Sequence, residues 1–170
     1  TGGEITENQA KNGGGVCIVS SPDAGYTTSI SGGSIYKNTA TRVNGSGGGG
    51  GGIYNQGCAH LTVSGGDIYE NKAYNGGGIY SDIGGTTKIS SGDIYSNTAS
   101  NRGGGVYLSA ANINIEGGSI YSNQGPYSGG GLCVMSSGSS GSTVTMSGGD
   151  IYGNTASAGW GAGIYMWGQN

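Results

Sequence analysis

Apolar residues along this chain come in short groups and never in a helical rhythm. The clearest stretch is Ser64-Gly65-Gly66-Asp67-Ile68-Tyr69-Glu70-Asn71-Lys72-Ala73, followed by Gly76-Gly77-Gly78-Ile79-Tyr80. The phrase recurs from end to end. Its isoleucine returns at Ile5, Ile35, Ile68, Ile94, Ile120 and Ile151, each with an asparagine three residues on, at Asn8, Asn38, Asn71, Asn97, Asn123 and Asn154. The glycine-led half ends on Val16, Ile53, Ile79, Val106, Leu132 and Ile164. A third apolar stretch leads into the next Ser-Gly-Gly and carries Ile30, Val63, Ile89, Ile115 and Met146.

Short runs rich in Ile, Val, Tyr and Thr, bounded by Gly, Asn and Ser, read as strands. The copies begin at residues 1, 31, 64, 90, 116 and 147, so the period varies from 26 to 33 residues. Three strands per copy and no helix predict a coil with three faces. One such coil cannot bury its apolar side, but a stack can. The expectation is all-β: a single right-handed parallel β-helix over residues 1–170, with about six three-strand coils about 4.8 Å apart and about 29 Å of length. The isoleucines, the glycine-led set and the third set form three internal columns. Stacked asparagines are expected to bond to one another at a corner and to take its left-handed conformation. Gly3, Gly33, Gly66, Gly92, Gly118 and Gly149 mark a position needing positive φ or close approach. Extra residues at 42–48 and 136–142 are expected as loops, and Gly47 to Gly52 as a mobile approach to the next strand.

Composition adds limits. Glycine makes up 42 of 170 residues, yet shows no three-residue period, so a collagen-like chain is excluded. Six scattered Lys and Arg against nine acids leave no basic surface for nucleic acid. No run is long enough for direct membrane insertion. Cys17, Cys58 and Cys133 are an odd number. Cys17 and Cys133 stand four coils apart, about 19 Å at strand spacing and too far for a disulfide. His60 has no ligand set around it and reads as a solvated loop residue; neither a metal site nor a cofactor is expected. The chain starts and stops on repeats without a cap, which is expected of a processed product or a segment of something longer.

Candidate chemistry lies on the outside. Two tyrosine columns, Tyr36, Tyr69, Tyr95, Tyr121 and Tyr152, then Tyr54, Tyr80, Tyr107 and Tyr165, each follow an inward residue and should face solvent. They read as ligand-binding surfaces for sugar or protein, or as ladders that stiffen the sheet. Asp67 and Asp93 would be neighbours, a spacing seen in polysaccharide-cleaving carboxylate pairs, but nothing basic converges on them. Trp160 and Trp167 could seal the last coil, contact another subunit or bind a ligand. The phrase Ile-Tyr-x-Asn-x-Ala with Gly-Gly-Gly-(Ile/Val)-Tyr resembles the paired motifs of chlamydial polymorphic membrane proteins, and the glycine-rich repeats of bacterial surface adhesins. Ile stands in the family's Phe slot and Gly usually in its Ala slot. The resemblance implies a right-handed parallel β-helix, secretion and adhesion, and carries no catalytic residues. The expected role is therefore a non-catalytic extracellular stalk or adhesive surface. Its partners would be neighbouring repeats, a glycan or a host surface. The alternatives are a fibre subunit stacked tip to tail on itself and a polysaccharide-active enzyme.

Overall fold

The computed structural model describes residues 2–21, 26–57, 59–136 and 141–168. Among them there is no helix, and parallel strands stack into a β-solenoid. The isoleucine column sets the count: Ile5, Ile35, Ile68, Ile94, Ile120 and Ile151 are paired in register, which makes five turns between six levels.

Three sheets run along the stack, though the strands divide differently from the three apolar stretches. The third stretch of one copy and the Ile-Tyr of the next belong to one sheet. Glu4–Thr6, Thr27–Tyr36, His60–Tyr69 and Thr86–Tyr95 lie in this long sheet, followed by Asn112–Ile115 with Ser119–Tyr121 and Val144–Met146 with Asp150–Tyr152. A register irregularity at the Ser-Gly-Gly bends each long strand without ending it. Gly33, Gly66, Gly92, Gly118 and Gly149 have positive φ there, and a Cβ on Gly92 would meet the Gly66 carbonyl oxygen at 2.3 Å. A side chain fits neither the conformation nor the space.

The second sheet was not visible as an apolar stretch. It is the corner sheet after the asparagines: Gln9–Ala10, Thr39–Ala40, Lys72–Asn75 and Thr98–Arg102. Single bridges from Thr98 to Gln124 and from Gln124 to Thr155 prolong it. The third, glycine-led sheet holds Val16–Val19, Ile53–Gln56, Ile79–Asp82, Val106–Ser109, Leu132–Ser136 and Ile164–Gly168.

All three internal columns are buried through the middle of the stack, including Ile68, Ile94, Ile79, Val106, Val63 and Ile89. Each such side chain contributes roughly 1.5–3 kcal/mol relative to exposure. Burial fails at the last level, where Met146, Ile164 and Met166 are exposed. The tryptophans do not form the expected seal over them. Trp160 is 72% exposed and stacks on Tyr165 at 6.3 Å, while Trp167 is also exposed.

The glycine run is no mobile linker. Gly13 N–H donates to the Gly49 carbonyl at 3.0 Å, Gly50 N–H to Asn75 and Gly51 N–H to Gly76, both at 3.1 Å. Gly48 to Gly52 are buried. A Cβ on Gly51 would strike the Gly77 and Lys72 carbonyl oxygens at 2.4 and 2.6 Å, so glycine here permits close coil contact. His60 begins a strand and does not lie in a loop. Cys17 is free and exposed, and Cys133 free and buried; Cys58, Pro22 and residues 137–140 lie outside the described residues.

Candidate functional site

The asparagines organise the corner. Asn38 Oδ1 accepts from the backbone N–H and the Nδ2 of Asn8, both at 3.0 Å. Its own Nδ2 donates to Asn71 Oδ1 at 3.0 Å and back to the Ile5 carbonyl at 2.8 Å. The same set repeats through Asn71, Asn97 and Asn123 to Asn154. Asn38, Asn71, Asn97 and Asn123 are buried. Both acceptor sites of Oδ1 and both donors of Nδ2 are used, so burial leaves nothing of these amides unsatisfied. The left-handed residue is the one before each Asn. Glu7, Lys37, Glu70, Ser96 and Ser122 have φ of 53–59°. The side chain of the corner residue then projects into solvent while the amide turns in.

The two tyrosine columns differ. On the long sheet, Tyr36, Tyr69, Tyr95, Tyr121 and Tyr152 stack with ring centroids 4.8–5.0 Å apart and planes within 5°. Each interior ring therefore has both faces against its neighbours. Only ring edges and hydroxyls meet solvent, with one further open face at Tyr152, which is 53% exposed. Sugar rings stack on aromatic faces, so the interior tyrosines cannot bind them in that way. What the column presents is a ridge of edges with a hydroxyl at every rung. Two residues before the five tyrosines lie Ser34, Asp67, Asp93, Ser119 and Asp150, and Glu4, two before Thr6, continues the same in-register column. The Tyr36 hydroxyl donates to Glu4 Oε2 at 3.1 Å. Asp67 and Asp93 are adjacent in this column, and among the described residues neither makes an ion pair.

On the glycine-led sheet, Tyr54 and Tyr107 point outward yet are buried, at 7% and 8% exposure. The expectation that this column faces solvent is corrected. The turn entering each strand lies over it: a Cβ on Gly103 would meet Tyr107 Cβ at 2.7 Å, and one on Gly49 would meet the Tyr80 ring at 2.8 Å. Rings 5.0–5.1 Å apart tilt by 30–32° beneath this cover. The Tyr54 hydroxyl donates to Asp82 Oδ2 at 3.3 Å. Burial first, then the Asp82 carboxylate, push the Tyr80 hydroxyl up to about 12. The same two causes raise Tyr54, and burial raises Tyr107. Cys133 continues the column in register with Tyr107, and burial pushes its thiol up to about 12. Tyr165 stands beyond it, in register with Cys133.

The sequence reading missed a third group. Lys11, Lys37, Arg42, Lys72 and Arg102 lie far apart in the chain but all fall at or beside the corner sheet. Their common signal was offset from the column asparagine: one residue before it or up to five after. Among the described residues, no group of three or more His, Cys, Asp or Glu is placed to hold a metal ion. No protein-family model, curated protein or solved structure matches the chain.

Proposed function

We propose that the protein is a non-catalytic extracellular β-solenoid, serving as a structural stalk or an adhesive contact surface of a bacterial surface protein. One observation carries the reading: the polar residue present in every copy, the asparagine, is buried in the middle of the stack with its amide fully bonded to adjacent coils. The repeat's most regular chemistry holds the rod together. Its variable residues, on the outer faces, are left for contact. The secreted, adhesive setting rests on the motif resemblance. Incubation with acidic and neutral polysaccharides should give no cleavage. Cleavage lost in Asp67→Asn or Asp93→Asn would overturn the reading in favour of an enzyme.

A second reading, assembly end to end, is favoured by the unlike ends of the asparagine column. At one end Asn154 N–H has no following amide to bond, and at the other Asn8 Oδ1 accepts from no described residue. Such ends would join copy to copy, and they would equally receive the next coil of a longer chain. Electron microscopy of the 170-residue chain separates the two: uniform fibres support assembly, and dispersed monomers at high concentration exclude it.

A further inference from the structure

The fold sorts charge by face. The long-sheet side carries Glu4, Asp67, Asp93 and Asp150, with Glu116 in the bend after Asn112–Ile115, against one cation, Lys88, which is paired with Glu116 at 2.9 Å. The corner side carries the other five of the six cations, Lys11, Lys37, Arg42, Lys72 and Arg102, against Glu7 and Glu70. Among the described residues no carboxylate lies within ion-pairing distance of these five. An arrangement that looks dispersed in the sequence becomes a rod with one acidic and one basic side.

The basic side is also concave. A shallow, open groove of about 320 Å³ lies on the corner sheet, lined by Thr39, Thr41, Arg42, Lys72, Tyr74 and Ser100 with Ala40 and Ala73 between them. Beside it a recess of about 350 Å³ is lined by Lys37, Glu70, Lys72 and Ser96, so Lys72 stands on both walls. Insertion residues build part of the groove. Val43 and Ser46 close a small hairpin by an antiparallel bridge, and Arg42 is held to the Gly45 carbonyl. The hairpin lays the Arg42 guanidinium 3.9 Å from the Tyr74 ring centroid. Stacked there, it loses little freedom on meeting an anion. Thr41 is fixed by a hydrogen bond from Gln9 Nε2 at 3.0 Å.

We propose that this corner face binds an anionic polysaccharide chain. Arg42 and Lys72 contact its carboxylate or sulfate groups, and Thr39, Thr41 and Ser100 meet its hydroxyls. The proposal rests on the adhesive reading above and moves the contact from the tyrosine face to the corner face. Three features select this occupant. Cations without a carboxylate partner favour a polyanion, and the Thr39, Thr41 and Ser100 hydroxyls beside Ala40 and Ala73 suit the mixed surface of a sugar. Arg42 covers one face of Tyr74, and this single ring is no platform for successive nucleobases. Distributed contacts along a groove, each modest, suit an extended polymer.

Heparin and polygalacturonate, immobilised, are the probes for sulfate and carboxylate, with dextran as the neutral control. The folded 170-residue chain should bind one or both polyanions and not dextran. Affinity should fall steeply between about 50 and about 200 mM salt. Arg42→Glu and Lys72→Glu should each weaken binding roughly tenfold or more. Lys72→Gln should weaken it less, and Lys88→Gln on the opposite side should leave it unchanged. Circular dichroism confirms that each variant is folded. The proposal is overturned if neither polyanion binds at low salt, or if Lys88→Gln costs as much as Lys72→Gln. Salt-sensitive self-association, lost in both Lys72→Glu and Asp67→Asn, would make the occupant a second copy and also overturn it. Failure here with retained binding to neutral glycans, weakened by Tyr69→Ala, would leave the adhesive reading standing. Polysaccharide cleavage sensitive to Asp93→Asn would remove that reading itself.

Discussion

Tyr95 and Tyr107 occupy equivalent places after an inward residue, on two sheets of one stack, and live in different surroundings. Tyr95 sits in a flat pile of parallel rings with its edge in water. Tyr107 sits among tilted rings under the turn that enters its own strand. Alternation along a strand fixes which way a side chain points, and it does not fix what the chain lays on top afterwards. The glycine-led turns make the difference. They pass so close to the second column that only a residue without Cβ can be there. The first column is followed by a left-handed corner that carries the chain away from it.

The contrast can be broken by substitution, starting with the largest effect. Tyr107→Ala empties a buried site between Tyr80 and Cys133 and should cost about 4 kcal/mol in urea unfolding, in the range of large-to-small core changes. A cost below about 1 kcal/mol would show that the cover opens freely. Gly103→Ala tests the cover while keeping the tyrosine ring, although the added Cβ also presses on Tyr107 Cβ at 2.7 Å. Its φ of 64° and the 2.5 Å approach of its Cβ to the Val106 carbonyl oxygen predict a loss of about 3 kcal/mol. Tyr95→Ala removes a ring whose edge already meets water, and about 1 kcal/mol is expected.

The smallest effect is expected in alkali. Burial raises the Tyr80 hydroxyl to about 12 against an ordinary value of 10.0, so the unfolded chain loses this proton first. Stability contributed by the protonated form is complete below about pH 10 and declines as pH rises toward about 12. Tyr95 is also raised to about 12, with desolvation the first cause and Asp67 the second. Because its edge meets water, its share of the decline should be smaller than that of Tyr80. Absorbance titration of Tyr80→Phe against Tyr95→Phe, paired with unfolding at each pH, separates the two.

The columns were legible in the sequence because buried positions repeat with their spacing to the asparagine intact. Ile68 and Ile94 pair in register as their place in the phrase demands. The corner sheet was not legible: Gln9–Ala10 and Thr39–Ala40 are two residues long, and the longer Lys72–Asn75 and Thr98–Arg102 each bury one small residue, Ala73 or Ala99, so no alternation shows. The glycine run misled for a related reason. A residue without a side chain reads alike whether it is loose or locked by a neighbour's carbonyl, and only the stack decides. The tyrosine faces were hidden too, since sequence gives the spacing of rings and not whether one ring covers the next. As for the charges, Lys11, Arg42, Lys72 and Arg102 look unrelated until the chain is wound and read by offset from Asn8, Asn38, Asn71 and Asn97.

The asparagine column has one more property. Every interior amide turns its oxygen toward the preceding coil's donors and passes a hydrogen on to the following oxygen. Rotating one amide by half a turn would set nitrogen against nitrogen on one side and oxygen against oxygen on the other, breaking both junctions at once. No single side chain can reverse without its neighbours, so the row has one collective orientation, like iron filings aligned by a field. The bond dipoles add along the axis and polarise one another. The solenoid thus has a built-in sense of up and down, independent of the chain direction that first set it.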